Sequence, residues 1–558
     1  MFVDARKLDD GSIIEAEVCV IGGGAAGITL AIEFGRRGIR TCVLESGGFR
    51  PDRATRDLYR GESIGLHYRF ADGCRSRFLG GSSNCWGGWC RPMDQHDFAP
   101  RDWVPYSGWP FEKSELLPYY DRAHEILRLG PNRYDASFWV EAIGRADVRR
   151  FPLVTGEVID AVSQFSPPLR FGEYYRVDLH RSKDVTVFLY ANAVDIETNA
   201  GGANVRSVKV ATLSGRTARV TARVFVLSAG GIENARLLLV SNKDHSAGLG
   251  NHNDLVGRFF MDHVQMWSGR LQFRKAWAHN KLYDDRYNYL SEAVSAHDTC
   301  VAAQLMLAPE VQAREKLLNA QVWFSSIFFG ERSEAADALI RIKHRTRGKL
   351  PLGYGLHHDL LSLVTHPINS VGFIAANYLR LRSLVRGCWF HAVVEPAPDP
   401  QSRVTLSHQR DGLGMNRVKV NWRLDSLVKR TVDRSLALIG HELSRAGVAD
   451  VMLDPPIEDG EWPKTFSQEG TWHHMGTTRM HDSPKLGVVD RDCRVHGIKN
   501  LYVAGSSVFP TAGGNFPTVT IIALALRLSD HTAKVLRRPI SLYTGNHLGD
   551  TGLRVRTG

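Results

Sequence analysis

The apolar and polar positions of this chain change period several times in quick succession, and each change predicts a supersecondary unit. The unbroken apolar run Val18 to Ile21 reads as a buried strand. Gly22, Gly24 and Gly27 follow, and Ile28 to Phe34 then continue at helical spacing until Gly38. A second short apolar run, Thr41 to Leu44, predicts another strand ending at Glu45. The same order of strand, glycine turn and helix recurs over residues 224–241, around Gly230 and Gly231, and again near the C-terminus. There Leu501 to Val503 predict a strand and Thr520 to Leu528 an apolar helix.

Between 263 and 469 the pattern is different. "RVTLS" and "RVKVNWRL" alternate at period two, which predicts sheet, and one face of that sheet is expected to wall the site. Helical spacing occupies 310–320, 334–346 and 358–386. Pro367 interrupts the last stretch, which predicts two helices there, packed into the core, and excludes a span.

With 558 residues, 43% hydrophobic and 23% charged, the chain is expected to build at least two cores. No apolar run approaches the roughly 18–20 residues of a membrane span, and the N-terminus lacks a signal core, so the expected location is cytoplasmic. Eight scattered cysteines without a Cys-x-x-Cys pair disfavour structural zinc, an iron-sulfur centre or a disulfide framework. The net charge of +11 is not interleaved with aromatics, which argues against nucleic acid. The most basic stretch, "RIKHRTRGK", reads as a solvated helix face.

The chemistry begins at the first glycine turn. Gly22, Gly24 and Gly27 fit G-x-G-x-x-G between a strand and a helix. Backbone amides there can meet a pyrophosphate at the helix N-terminus, and Glu45 can accept from a ribose hydroxyl. Only one complete fingerprint is present, which fits one dinucleotide. "RFLGGSSNCWGGWC" adds a glycine-rich loop able to lie against a ring system.

Taken together, "VIGGGAAGITLA", "LGGSSNCWGG", "VLSAGGIENARLLL", "HHMGTTRM", "GVVDRDCRVHGIKNLYVAGSSVFPT" and "PTVTIIALALRLSDH" resemble the glucose-methanol-choline (GMC) family of FAD-dependent oxidoreductases. The stretches run in the family's order from residue 20 to 531, and the likeness is greatest to its bacterial sugar and polyol branch. The resemblance implies an α/β fold: a Rossmann-like FAD-binding domain with a parallel sheet, and an α+β substrate domain with a largely antiparallel sheet. The expected boundaries are 15–262 with 470–540 for FAD, with inserted segments around 130–185, and 263–469 for substrate. It implies FAD contacts from Gly22, Gly24, Ala26, Gly27, Glu45, Gly80, Gly81, Ser82, Ser83, Asn84, Cys85, Trp86, Ala193, Ala229, Gly230, Asn234, Gly505, Ser506, Phe516 and Thr518. No metal is implied.

The resemblance also implies oxidation of an alcohol on a sugar, glycoside or aminoglycoside-like molecule, with the electron acceptor open among oxygen, a quinone or a protein. A lyase or non-redox flavoprotein of the same family, or an oxidase of a non-sugar alcohol, is the alternative. The reaction needs a neutral imidazole to take the hydroxyl proton. The family's catalytic histidine stands three residues before the glycine of His-x-x-Gly-Thr; counted back from Gly476, this is His473, with His474 left to packing. The family's second catalytic residue directly precedes Pro-Thr. Here that position is Phe516, and Asn515, one residue earlier, is expected to take the role. Cys85 stands where pyranose oxidase-like members carry a flavin-linked histidine. Non-covalent FAD beside a buried, inert Cys85 is expected, with a cysteinyl-flavin bond as the alternative.

Overall fold

The computed structural model describes residues 1–68, 75–167, 169–275, 279–328, 333–346, 355–375, 385–457, 461–462, 466, 471–537 and 554–556. Strand β1 (Ser12–Ile21) is apolar and fully buried from Val18 onward. It ends where Gly22 adopts φ +111°, a value that glycine tolerates at little cost. Helix α1 (Ala25–Arg36) follows, and Gly38 closes it at φ +67°. Strand β2 (Thr41–Leu44) lies parallel to β1.

Strand β3 (Thr217–Leu227) pairs with β1 in parallel, leads into helix α2 (Gly231–Val240), and receives β4 (Leu501–Val503) on its other side. Helix α3 (Thr518–Arg537) runs on well beyond the stretch its apolar pattern predicts. It packs on α1, with Val519, Ile522, Ala523 and Leu526 buried. These strands, with Phe2–Asp4, Val185–Leu189, the antiparallel pair Asn192–Thr198 and Val205–Ala211, and Arg554–Arg556 antiparallel to β1, form one nine-stranded sheet.

A second, antiparallel sheet of eight strands joins Val264–Phe273, Val385–Val394, Ala320–Phe328 and Thr299–Leu307. It also takes Val158–Phe165 and Trp89–Cys90 from earlier in the chain. This sheet, and not the alternating segments singled out above, walls the site. Arg403–Arg410 and Asn416–Asn421 pair with each other and with Gly61–Ser63 in a separate three-stranded sheet. Alternation reports that one face of a strand is buried, not which sheet the strand joins.

The 310–320 stretch is a helix only over Pro309–Glu315 and then turns into the strand Ala320–Phe328. Residues 358–386 divide at Pro367 as expected, into Leu356–Thr365 and Pro367–Ile374. Positions 376–384 of that stretch, 347–349 of the basic one, and Cys74 lie outside the described residues. The expected core packing of this helix pair is not found: Leu361, Val364, Ile368 and Val371 are between 59% and 75% exposed. Among the described residues no helix is long and apolar enough to cross a membrane.

Candidate active site

One elongated cavity of about 460 Å³ lies between the two large sheets, in the range of ligand sites. One end is built by the first glycine turn. A Cβ on Gly22 would stand 2.6 Å from the Ser228 carbonyl oxygen, and one on Gly27 only 2.0 Å from that of Gly22, so both positions require glycine for packing. Gly24 is different. A Cβ there would meet nothing closer than 3.9 Å, and at Gly230 and Gly505 nothing within 4 Å, although all three border the cavity. Bare backbone thus faces an open space. The N-caps of α1 and α2, Gly24 and Gly230, use no side chain to satisfy the free amides.

Glu45 extends from β2 and accepts hydrogen bonds from the Gly23 and Gly47 amides (3.0 and 2.8 Å), its carboxyl raised by burial against these bonds. The Gly80–Gly81 loop is tied to the turn through Gly80 N–H donating to Gly23 O at 2.8 Å. Amide donors, a buried acid at the end of the second strand and an uncapped helix start are the set that a dinucleotide requires, and the residues present fit FAD.

Of the expected contacts, Gly22, Gly24, Ala26, Glu45, Gly81, Ser82, Ser83, Cys85, Trp86, Ala193, Ala229, Gly230, Gly505, Ser506, Phe516 and Thr518 line the cavity, as does His473. Gly27, Gly80, Asn84 and Asn234 do not. Gly27 lets α1 approach β1. Asn84 Nδ2 donates to Leu79 O and Gly81 O, and Asn234 braces three loops through Ala229 N, Ala504 O and Ser507 Oγ, so their side chains shape the walls from behind.

Cys85 is not buried as expected. It is exposed toward the cavity, yet enough protein surrounds it that its thiol is held above the ordinary value and stays protonated at neutral pH. Residues not foreseen also line the wall: Tyr59, Arg77, Glu233, Gln265, Thr471 and Trp472. Burial would raise the Glu233 carboxyl, but Arg236, Arg77 and Arg75 reverse this and hold it at about 2. No periodicity marks these positions, though Arg77, Glu233, Thr471 and Trp472 lie in or beside the quoted motifs.

At the other end stands His473. Its Nδ1 lies 2.8 Å from Thr471 Oγ1 and 2.9 Å from His263 Nδ1. The Thr471 hydroxyl donates to Asp262 Oδ1 (2.8 Å), and His263 Nε2 lies 2.7 Å from the Gly513 carbonyl oxygen, which can only accept. Thr471 Oγ1 and His263 Nδ1 are therefore both acceptors, which assigns the proton of His473 to Nδ1. Its Nε2 carries the lone pair and has no partner among the described residues. Burial, then His263 and His474, lower its pKa well below the ordinary histidine value, so the ring is neutral.

Asp262 holds the loop. Besides the Thr471 hydroxyl it accepts from Tyr68 Oη and from the amides of Thr471, Trp472 and His473, and Trp472 is kept at φ +62°. His474 packs between Tyr68 and Phe260, with its Nε2 buried and unpartnered. Neither Asp262 nor His263 was foreseen, since nothing in "FMDHVQ" signals a contact 210 residues away.

The structure does not bring Asn515 to the cavity. Its side chain is fully buried and does not border the cavity. Oδ1 accepts from Arg91 (2.9 Å) and Gln321 (2.5 Å), and Nδ2 donates to Pro92 O (2.8 Å) and Asp94 (3.2 Å). The cavity instead meets Phe516, whose ring lies edge-on to His473 at 5.3 Å. Asn515→Ala is expected to lower stability by about 2–4 kcal/mol, because Arg91 and Gln321 lose a buried acceptor. Urea unfolding should show this loss while kcat of the folded fraction changes less than about threefold.

The neutral histidines also set a pH dependence. Burial lowers His263 to about 4 and His474 to about 3, so below pH 6.5 the unfolded chain takes up protons that the folded one refuses. Asp262, raised by burial to about 6, works the other way, binding one proton in the folded state first. Three histidines against one carboxyl leave about two protons in favour of the unfolded state between pH 6 and 4. The stability these four groups contribute is complete above pH 6.5 and is lost as pH falls through that window, by roughly 3 kcal/mol per pH unit. Urea midpoints measured along the pH series should trace this slope.

The parallel sheet, the glycine turn and the bare-walled cavity define an FAD-dependent oxidoreductase. Comparison with known proteins narrows the class. Residues 17–247 match the FAD dependent oxidoreductase family and residues 398–525 the C-terminal GMC oxidoreductase family. The chain belongs to the GMC oxidoreductases. It is 26% identical to paromamine 6′-oxidase of Streptomyces fradiae, over 93% of each chain. With the fructose dehydrogenase large subunit of Gluconobacter japonicus it shares 24% identity, over 56% of this chain and 47% of the other. Among solved structures, formate oxidase superposes with a TM-score of 0.55 at 18% identity, covering 95% of this chain and 100% of that one, a likeness of fold.

Proposed function

We propose that this enzyme oxidises a hydroxyl group of a neutral sugar or glycoside to a carbonyl, with His473 as the base. The carrying observation is the assigned tautomer: a neutral imidazole bordering the cavity, Nδ1–H held from behind and the Nε2 lone pair free. In this reading segments 15–262 and 470–540 hold FAD and 263–469 the substrate. Bound in the cavity, FAD supplies the acceptor for the hydride that leaves the carbinol carbon.

His473 Nε2 takes the hydroxyl proton, and the ring becomes positive. Thr471 then connects that charge to the Asp262 carboxylate, through a hydroxyl that accepts from Nδ1–H and donates to Oδ1. The loop cannot turn the ring away, because Asp262 accepts from three consecutive amides.

The surroundings of His473 support a neutral ring as substrate. Trp89, Trp472 and Phe516 offer apolar faces for the C–H side of a sugar, and Gln265 offers an amide for its hydroxyls. The only carboxylates among the described lining residues are Glu45 and Glu233. Both are committed elsewhere, Glu45 to the Gly23 and Gly47 amides and Glu233 to Arg77. Among the described lining residues a polycation would find no free counter-charge, which favours a neutral sugar over an aminoglycoside.

Anaerobic titration of the yellow enzyme tests the proposal. Bleaching of the flavin bands by neutral sugars or glycosides supports it. Bleaching by an aminoglycoside alone would overturn the substrate class, and a flavin unmoved by any alcohol would overturn the reaction.

A further inference from the structure

The helices Leu356–Thr365 and Pro367–Ile374 turn their apolar side outward. Leu360, Leu361, Val364, Ile368, Val371 and Ile374 recur along one stripe, each between 41% and 75% exposed. The inward side carries Asp359, Ser370 and Phe373, with Asp359 bridged to Arg341 of the preceding helix Glu334–Thr346. Among the described residues the three helices pack principally on one another, and the outward side chains of the pair belong to neither large core.

An apolar stripe of this size facing water is costly. The sequence around it is strongly cationic: from 341 to 386 there are eight Lys and Arg and one acid, seven of the eleven net positive charges of the chain. At ten and eight residues, about 15 and 12 Å, neither helix can cross a bilayer.

We propose that this helix pair docks on an anionic lipid surface with its apolar stripe among the acyl chains, drawn there by the net positive charge carried by the 341–386 sequence. Outward apolar side chains flanked in sequence by Lys and Arg are a mark of an interfacial anchor. The charge argues against a second copy of this chain, since pairing two such faces would bring together two stretches of sequence with the same strong positive charge. The inference stands apart from the redox reading, since it uses no residue of the cavity.

Co-sedimentation of the FAD-loaded full chain with vesicles tests it. Partition to phosphatidylcholine vesicles containing phosphatidylglycerol is expected, with little to phosphatidylcholine alone, and weakening as salt is raised. The combined variant Leu361→Glu, Val364→Glu and Ile368→Glu should bind about a hundredfold more weakly, with flavin content and turnover unchanged. Failure of the wild-type chain to bind anionic vesicles would overturn the proposal. So would light scattering that shows a dimer converted to monomer by the same three substitutions, which would assign the face to a second copy.

Discussion

His473→Ala is expected to lower kcat by about 10²–10⁴-fold while the purified protein stays yellow. Of the two histidines that border the cavity, His474 is packed between Tyr68 and Phe260, whereas His473 has its Nδ1–H held by hydrogen-bond acceptors and its Nε2 left to act as base. The other rings that line this end, Phe516, Trp89 and Trp472, accept no proton. FAD retention follows from the distance in kind between the two ends: the dinucleotide is held by glycine backbone and Glu45, none of which His473 supports.

A graded comparison sharpens this result. His263→Phe removes one of the two acceptors that hold Nδ1–H but leaves Thr471, so the ring keeps its tautomer with less constraint. The expected loss is about tenfold, in the rate of anaerobic flavin reduction. Equal losses in the two variants would mean that His263 shares the chemistry. A His473→Ala enzyme within a few-fold of wild type would remove the proposed base altogether.

The second large effect concerns the glycine turn, where neighbouring glycines should fail in different ways. Gly24→Val is expected to fold and remain colourless. The backbone there, φ −82°, suits any residue, and the new side chain enters open cavity space, so FAD binding should fall at least about a hundredfold. Gly27→Val should not fold well, since its Cβ would overlap the Gly22 carbonyl and drive α1 off the sheet. Circular dichroism separates the two cases, and the ratio of flavin to protein absorbance reads the cofactor. A yellow Gly24→Val protein would mean that FAD approaches the turn elsewhere.

The turn was legible because its constraints are local. Four apolar residues, three glycines at fixed offsets and an acid after the next strand fall within 28 consecutive positions, and the structure forms β1, α1 and β2 over them. The likeness of "HHMGTTRM" to a family turn led to His473 in the same way. The placing of Asn515 was not legible in the same way, because a motif gives chain position and not side-chain direction. One residue of difference turns the amide into a nest of Arg91, Gln321 and Asp94 and leaves Phe516 at the cavity. The helix pair after Gly355 was assigned to the core for a related reason: periodicity shows that a helix has an apolar side, but not whether anything covers it.

By itself, then, the sequence determined the nucleotide turn, the breaks at Gly38 and Pro367, the family, and which histidine to suspect. All of these depend on backbone conformations and spacings set within a few tens of residues. Only the tertiary structure decided the state of that histidine. Its tautomer depends on Thr471, Asp262, His263 and the carbonyl of Gly513, brought together from segments more than 200 residues apart. A hydrogen bond is directional over a few tenths of an ångström, and such geometry exists only once the two sheets have closed on the cavity between them.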